Sequence, residues 1–158
     1  MEKSANPTFY IGSAGWEHPQ WEGCFYPDGM PPEWRLTFYN TAFTCVYLAY
    51  EEWSGRDLQT LIAWVEDTLE RFRFVLEPNR AGLSDGDKAR LEVLAPRVDP
   101  LGGPVVWLEG KPDLKRLAGE LKMLVGCAGP VYLISRDHDL EAMNQVKTLL
   151  EIIGLIVA

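Results

Sequence analysis

The chain has 158 residues, of which 47% are hydrophobic and 24% charged, and its formal net charge is −8. That is the usual mix of a globular protein, and no apolar run reaches the ~18 residues of a membrane span. Lys and Arg are scattered rather than clustered, so the dense positive charge that phosphate backbones need is missing.

Several expectations follow from these bulk features. The length suits one domain over residues 1–158. The opening "MEKSANPTF" has no apolar core behind its charge, unlike a secretory signal, so the expected location is the cytoplasm, with neither nucleic acid nor membrane as a partner. Cys24, Cys45 and Cys127 are few and widely spaced, which suggests neither a zinc set nor a disulfide framework. They read as reduced, partly buried thiols.

Six strand-like runs follow one another: "TFYIG" (8–12), "TCVYLAY" (44–50), "FRFVLE" (72–77), "PVVWLE" (104–109), "VYLIS" (131–135) and "GLIVA" (154–158). Each is short, apolar and rich in β-branched or aromatic residues, as in strands covered on both faces.

Helical patterns lie between the runs. The first follows Pro31-Pro32 and carries Trp34, Phe38, Tyr39 and Ala42. The second has Ser54 and Asp57 as a possible capping box, then Leu58, Leu61, Ile62, Val65 and Leu69 at the spacing of one buried face. The third starts near Ser84 and Asp85 and stops at Pro96. The fourth follows Pro112 and ends with Gly126 as a plausible cap. The fifth begins at Asp137 or Asp139, buries Leu140, Met143, Val146 and Leu150, and ends at Gly154.

Strict alternation of strand and helix predicts parallel strands joined by crossovers. The fold is therefore α/β, either a doubly wound open sheet or a barrel-like arrangement. A dinucleotide fold needs G-x-G-x-x-G and a tight turn into its helix. Only Gly12 and Gly15 are present, and some fifteen residues precede the next helix. A phosphate-receiver fold would place paired acids after the first strand, where this chain has Ser13 and Ala14.

The opening stretch carries Ile11, Gly12, Ser13, Ala14, Gly15 and Trp16, then Trp21, Gly23, Phe25, Tyr26 and Pro27, then Trp34, Phe38 and Tyr39. In this order the residues resemble the start of the domain-of-unknown-function-72 family, also called YecE-like. "RFRFVLEP" and "GGPVVWLEGKPDLKRL" are weaker echoes of its third and fourth strands. The resemblance implies a TIM-type (β/α) barrel. The family's activity is not established, so it implies an architecture rather than a reaction.

Departures from the family pattern bear on function. The polar run after the second strand is replaced by Tyr47, Leu48, Ala49 and Tyr50. Glu77 stands where a Lys is usual, Leu108 where a Gln is usual, and Ile134 where an acid is usual; Arg136 is kept. A full barrel takes about 250 residues, and the family's later segments have no counterpart. The expectation is a partial, TIM-barrel-like sheet of about six parallel strands, resembling the N-terminal two-thirds of the family barrel.

In such barrels chemistry sits at the strand C-terminal ends. The candidate pocket there comprises Ser13, Trp16, His18, Trp21, Glu77, Glu109, Arg136 and His138. Glu77, Glu109, Asp137 and His138 could ligate a hard metal, and His18 or His138 could act as a base. No tight metal-ligand spacing supports the first idea, so neither metal nor cofactor is expected. Acids after strands also cap helices, a role open to Asp57, Asp85, Asp113 and Asp137. Gly12 and Gly15 could form an anion nest or serve backbone shape alone. Ser13, His18 and Glu17 invite a triad but are too close in sequence to fix an orientation.

The loop from Ser13 to Met30 is long and aromatic. Such a loop folds as a packed cap when its rings are buried; otherwise Trp16 and Trp21 line a pocket. An apolar last strand, "GLIVA", would be an exposed edge. That predicts a homo-oligomer or a protein partner through residues 140–158. Two functions are in competition. One is a non-catalytic binding or scaffolding relative of the barrel family. The other is a small enzyme doing acid/base or metal-assisted chemistry on a small polar or phosphorylated substrate.

Overall fold

The computed structural model describes residues 8–100, 102–125 and 129–155. Five parallel strands form one sheet: β1 (Thr8–Ala14), β2 (Cys45–Leu48), β3 (Arg73–Leu76), β4 (Val105–Leu108) and β5 (Pro130–Ser135). Six helices alternate with them: α1 (Arg35–Ala42), α2 (Tyr50–Ser54), α3 (Leu58–Glu66), α4 (Asp85–Leu94), α5 (Leu114–Leu124) and α6 (Leu140–Ile152). The sixth strand-like run falls mostly on residues 156–158, which lie outside the described residues, as do Gly126 and Cys127. Within that run, Gly154 adopts φ 74° and the Leu155 amide donates to the Leu150 carbonyl, closing α6.

The strand order is β3-β2-β1-β5-β4. Read as a ring, this is the sequential order of a barrel, cut open between β3 and β4. β1 is central, paired with β2 on one side and with β5 on the other. In a strip of consecutive barrel strands β1 would be an edge. The free edges are therefore those of β3 and β4, and β5, the last described strand, is paired on both sides. The edge strand expected from "GLIVA" falls mostly outside the described residues.

Alternation divides the strands between two faces. Phe9, Ile11, Val46, Leu48, Phe74, Val131 and Leu133 share one buried cluster with Leu36, Tyr39, Leu61, Trp64, Leu117, Met143 and Val146 of the helices. On the other face Tyr10, Cys45, Tyr132 and Ile134 form a second cluster, with Tyr47, Val75, Val105 and Trp107 packed against it. Among the described residues the helices pack on the first face alone, which favours the barrel type over a doubly wound sheet. The sheet is curled enough for Tyr47 of β2 to meet Trp107 of β4 across the inside, rings 4.8 Å apart and edge-on.

Asp57, Ser84, Asp113 and Asp139 cap α3, α4, α5 and α6, each accepting the amide of the third residue beyond it. Ser84 takes the role expected of Asp85, and Asp139 the role expected of Asp137. The face of α3 also differs from expectation. Leu61 and Trp64 are its buried residues, whereas Leu58 and Ile62 are exposed. Trp34 is exposed as well, because Pro32–Trp34 is a separate 3-10 turn ahead of α1.

One rung of the β1–β2 ladder is unusual. Where Ser13 N–H would meet the Cys45 carbonyl, the Tyr39 hydroxyl stands between them. It accepts from Ser13 N at 2.9 Å and donates to Cys45 O at 2.7 Å. The next rung, Gly15 N to Tyr47 O at 2.9 Å, is direct. A side chain from α1 is thus built into the sheet and pins that helix to the strand ends.

Candidate functional site

The strand C-terminal ends gather five connections: 15–34 after β1, residue 49 leading into α2 after β2, 77–84 after β3, 109–113 after β4 and 136–139 after β5. Each strand's twofold period decides which side chains face the inside of the curl.

Ser13 does not face the inside. It is fully buried among the helices, and its hydroxyl donates to the Gly15 carbonyl. Any triad with His18 and Glu17 is excluded by that placement. Trp16 is buried edge-on against Trp64, with ring centroids 4.9 Å apart. Trp21 is 1% exposed and packs on Phe25, Tyr26 and Tyr39. Its indole N–H donates to the His138 carbonyl at 3.1 Å. Both tryptophans of the loop after β1 are thus buried in the interior.

His18 and His138 do meet. Their rings stack at 3.6 Å with 21° between planes. His18 Nε2–H donates to the Ala14 carbonyl at 2.9 Å. Burial lowers the His18 pKa, and His138 beside it lowers it further. Burial also lowers His138, against the opposing pull of Asp137 and Glu52. His138 holds φ 57°, and its Nδ1 is buried without a hydrogen-bond partner among the described residues.

Glu77 lies apart from the histidines. Its Oε1 accepts the Tyr50 amide at 3.0 Å, its Oε2 accepts the Tyr47 hydroxyl at 3.2 Å, and its carbonyl accepts the Trp53 indole N–H at 2.9 Å. It ties α2 to the end of β3. Glu109 pairs with Arg136 Nε at 2.5 Å, and the same guanidinium lies 4.1 Å above the Trp107 ring. Asp137 accepts the Gly110 amide at 2.5 Å. Among the described residues, no three His, Cys, Asp or Glu side chains come together as a metal set.

Tyr47 and Trp107 occupy the centre of the rim. The Tyr47 hydroxyl pKa is pushed up to about 12, chiefly by burial and then by Glu77, so it stays protonated and donates. Ile134 faces the same interior, fully buried. Leu108 belongs to the opposite face, in the helix-covered core; the inward residue of β4 is its neighbour Trp107. The rim's interlocking pairs, Tyr47 with Trp107 and Trp107 with Arg136, were absent from the sequence-derived pocket. Strict alternation along β2 and β4 was the signal that could have found them.

Below the rim, between the free edges of β3 and β4, lies a cavity of about 520 Å³. Phe74, Val75, Leu91, Val98, Val105 and Tyr132 are among its walls, with Glu77 and Asn79 at one end.

A parallel sheet in barrel order, wrapped by helices on its outer face and with its charged loops at the strand C-terminal ends, defines a TIM-barrel-type chain left open on one side. The model for "Protein of unknown function DUF72" matches residues 10–103, which hold β1 to β3 and their helices. The chain belongs to this family. Its structure is similar to that of a DUF72 family protein from Thermotoga maritima, with a TM-score of 0.59 at 12% identity, covering 91% of this chain and 99% of that one. It is similar also to a DUF72 family protein from Enterococcus faecalis V583, with a TM-score of 0.60 at 10% identity, covering 96% and 99%. At such identities the likeness speaks for the fold alone. No curated protein matches the chain.

Proposed function

We propose that this chain, acting as one (β/α) domain in the cytoplasm, is a non-catalytic binding or scaffolding member of its family. Its binding place is the apolar cleft between the edges of β3 and β4. One observation carries the reading. The rim groups Glu77, Glu109, Arg136 and Asp137 are already engaged with other protein groups, while the open space lies below them and is apolar. Glu77 serves Tyr47 and Tyr50, Glu109 serves Arg136, and Asp137 serves Gly110. A general acid or base needs an unengaged group facing a substrate. A ligand cleft needs apolar walls and a few polar groups at a volume of ~300–1,000 Å³, and the β3–β4 cavity meets that description.

A neutral solvatochromic dye tests the cleft. Saturable binding near one dye per chain is expected, with a blue-shifted emission. Val105→Phe, which fills the cavity, is expected to weaken that binding at least tenfold while the far-ultraviolet circular dichroism stays as in the parent. Absence of saturable binding, or binding indifferent to the substitution, counts against the cleft.

The same reading supports association through protein surfaces. Two strand edges lack strand partners in the described sheet, a state proteins seldom leave uncovered. Met123 on α5 and Ile152 on α6 are 82% and 75% exposed. No helix among the described residues is long and apolar enough to cross a membrane. Sedimentation equilibrium at micromolar concentration is expected to give a mass above that of one chain. A clean monomer would remove self-association and leave only a different protein as partner.

A further inference from the structure

We propose that the His18–His138 stack is a proton-operated latch: when both rings are charged, the aromatic loop after β1 is released from the loop between β5 and α6. This lies outside the β3–β4 cleft and does not depend on how that cleft is used.

The geometry makes the stack the natural weak point. Among the described residues two contacts join the loops: the ring stack and the Trp21 N–H to the His138 carbonyl. Both fall on His138, so displacing that residue breaks both. His138 is also the residue whose backbone sits in the left-handed region, a conformation a side-chain-bearing residue keeps only while its surroundings hold it. Trp21 lies edge-on to His18 at 4.6 Å, so the indole covers the stack from one side.

Two imidazoles 3.6 Å apart stack well when neutral and repel when both are charged. Other charges surround them. Glu17 comes from the first loop, Glu52 from α2 and Arg56 from the segment after it; these three line a small cleft with His18. From the loop after β5 come Arg136, Asp137 and Asp139, with Arg136 held by Glu109. Asp139 is occupied in capping α6. Asp137 and Glu52 favour a charged His138, but burial outweighs them and the stacked state resists the proton.

The sign follows from linkage. A free histidine titrates near ~6.5. Both rings take up protons less readily when stacked than when free. The closed state therefore has its full advantage above about pH 6.5 and loses it as the pH falls below that value. At pH 5.5 each ring that returns to its free value on opening favours the open state by up to about elevenfold.

Hydrogen exchange of the full chain at pH 7.5 and 5.5, corrected for intrinsic exchange, tests the latch. Segments 15–26 and 136–139 are expected to lose protection tenfold or more at the lower pH, while β1, β2 and β5 keep theirs. His18→Phe keeps a ring for the stack and removes one titrating group. His138→Asn suits the left-handed backbone and removes the other. In either variant the share of one ring, up to about elevenfold, is expected to disappear from the acid response. Unchanged protection in the parent overturns the latch. So does an acid response of parental size in a folded variant, or a loss spread evenly over the sheet. If one variant fails to fold by circular dichroism, the other decides.

Discussion

The Gly12→Ala variant is expected to lose about 3 kcal/mol or more of folding stability, and roughly 6–12 °C of melting temperature. Gly12 sits in β1 where β2 begins to pair, opposite Cys45. An added methyl carbon would lie 1.8 Å from the Cys45 carbonyl oxygen and 2.7 Å from the Tyr39 hydroxyl. Neither neighbour can yield cheaply. The first is main chain of the adjacent central strand, and the second is the oxygen wedged into the ladder between Ser13 and Cys45. Overpacking a site bounded by backbone belongs at or above the top of the usual ~1–3 kcal/mol range. Tyr39→Phe separates the two contacts. Alone it strands the Ser13 amide and the Cys45 carbonyl, at a cost of about 1–3 kcal/mol. Combined with Gly12→Ala it removes the 2.7 Å clash and leaves the 1.8 Å one, so the double variant is expected to be no more stable than Gly12→Ala. Urea denaturation of the three variants measures this. A Gly12→Ala midpoint within error of the parent would show that β1 and β2 are not held in this register.

Much of this architecture was legible in the sequence because parallel βα units leave strong local marks. Five strand runs appear where apolar β-branched residues are dense, and Asp57 and Asp113 cap the helices they precede. Strand order left no such mark. That β5 pairs with β1, and that the opening lies between β3 and β4, depends on long-range contacts that local periodicity does not encode. The same limit explains the misread faces. In α3 the expected face held Leu61, which is buried, together with Leu58 and Ile62, which are exposed, and it missed Trp64, since a helix with apolar residues on most sides does not announce its buried one.

For the candidate pocket the sequence names residues but not their partners. Glu77, Glu109, Arg136 and His138 do sit at the strand ends. Their partners are not fixed by their own positions. Glu77 is claimed by an amide and a hydroxyl from the β2–α2 segment, and Glu109 by Arg136, which also covers Trp107. A carboxylate in a sequence carries no sign of whether another part of the chain already engages it. The His18–His138 stack joins residues 120 positions apart, and nothing in either neighbourhood points to the other.

Trp21→Ala is expected to cost about 3–5 kcal/mol, the range for deleting a large ring from a packed interior, with a fall of roughly 6–20 °C in melting temperature. The indole is 1% exposed and lies against Tyr39 at 6.1 Å with rings nearly parallel, so its loss empties the space between the loop and α1. Trp21→Phe keeps most of that packing and gives up the N–H bond to the His138 carbonyl. It is expected to cost about 0.5–1.5 kcal/mol for the bond, plus the smaller ring's lost contacts. The contrast decides what the loop after β1 is. A tryptophan lining an empty pocket would be truncated almost without cost to the free protein, and its loss would show only in ligand affinity. A tryptophan plugging the end of the sheet is paid for in stability whether or not any ligand is present. Thermal melts of both variants without ligand separate the two, and a Trp21→Ala midpoint within about 2 °C of the parent would return the loop to the role of a binding wall.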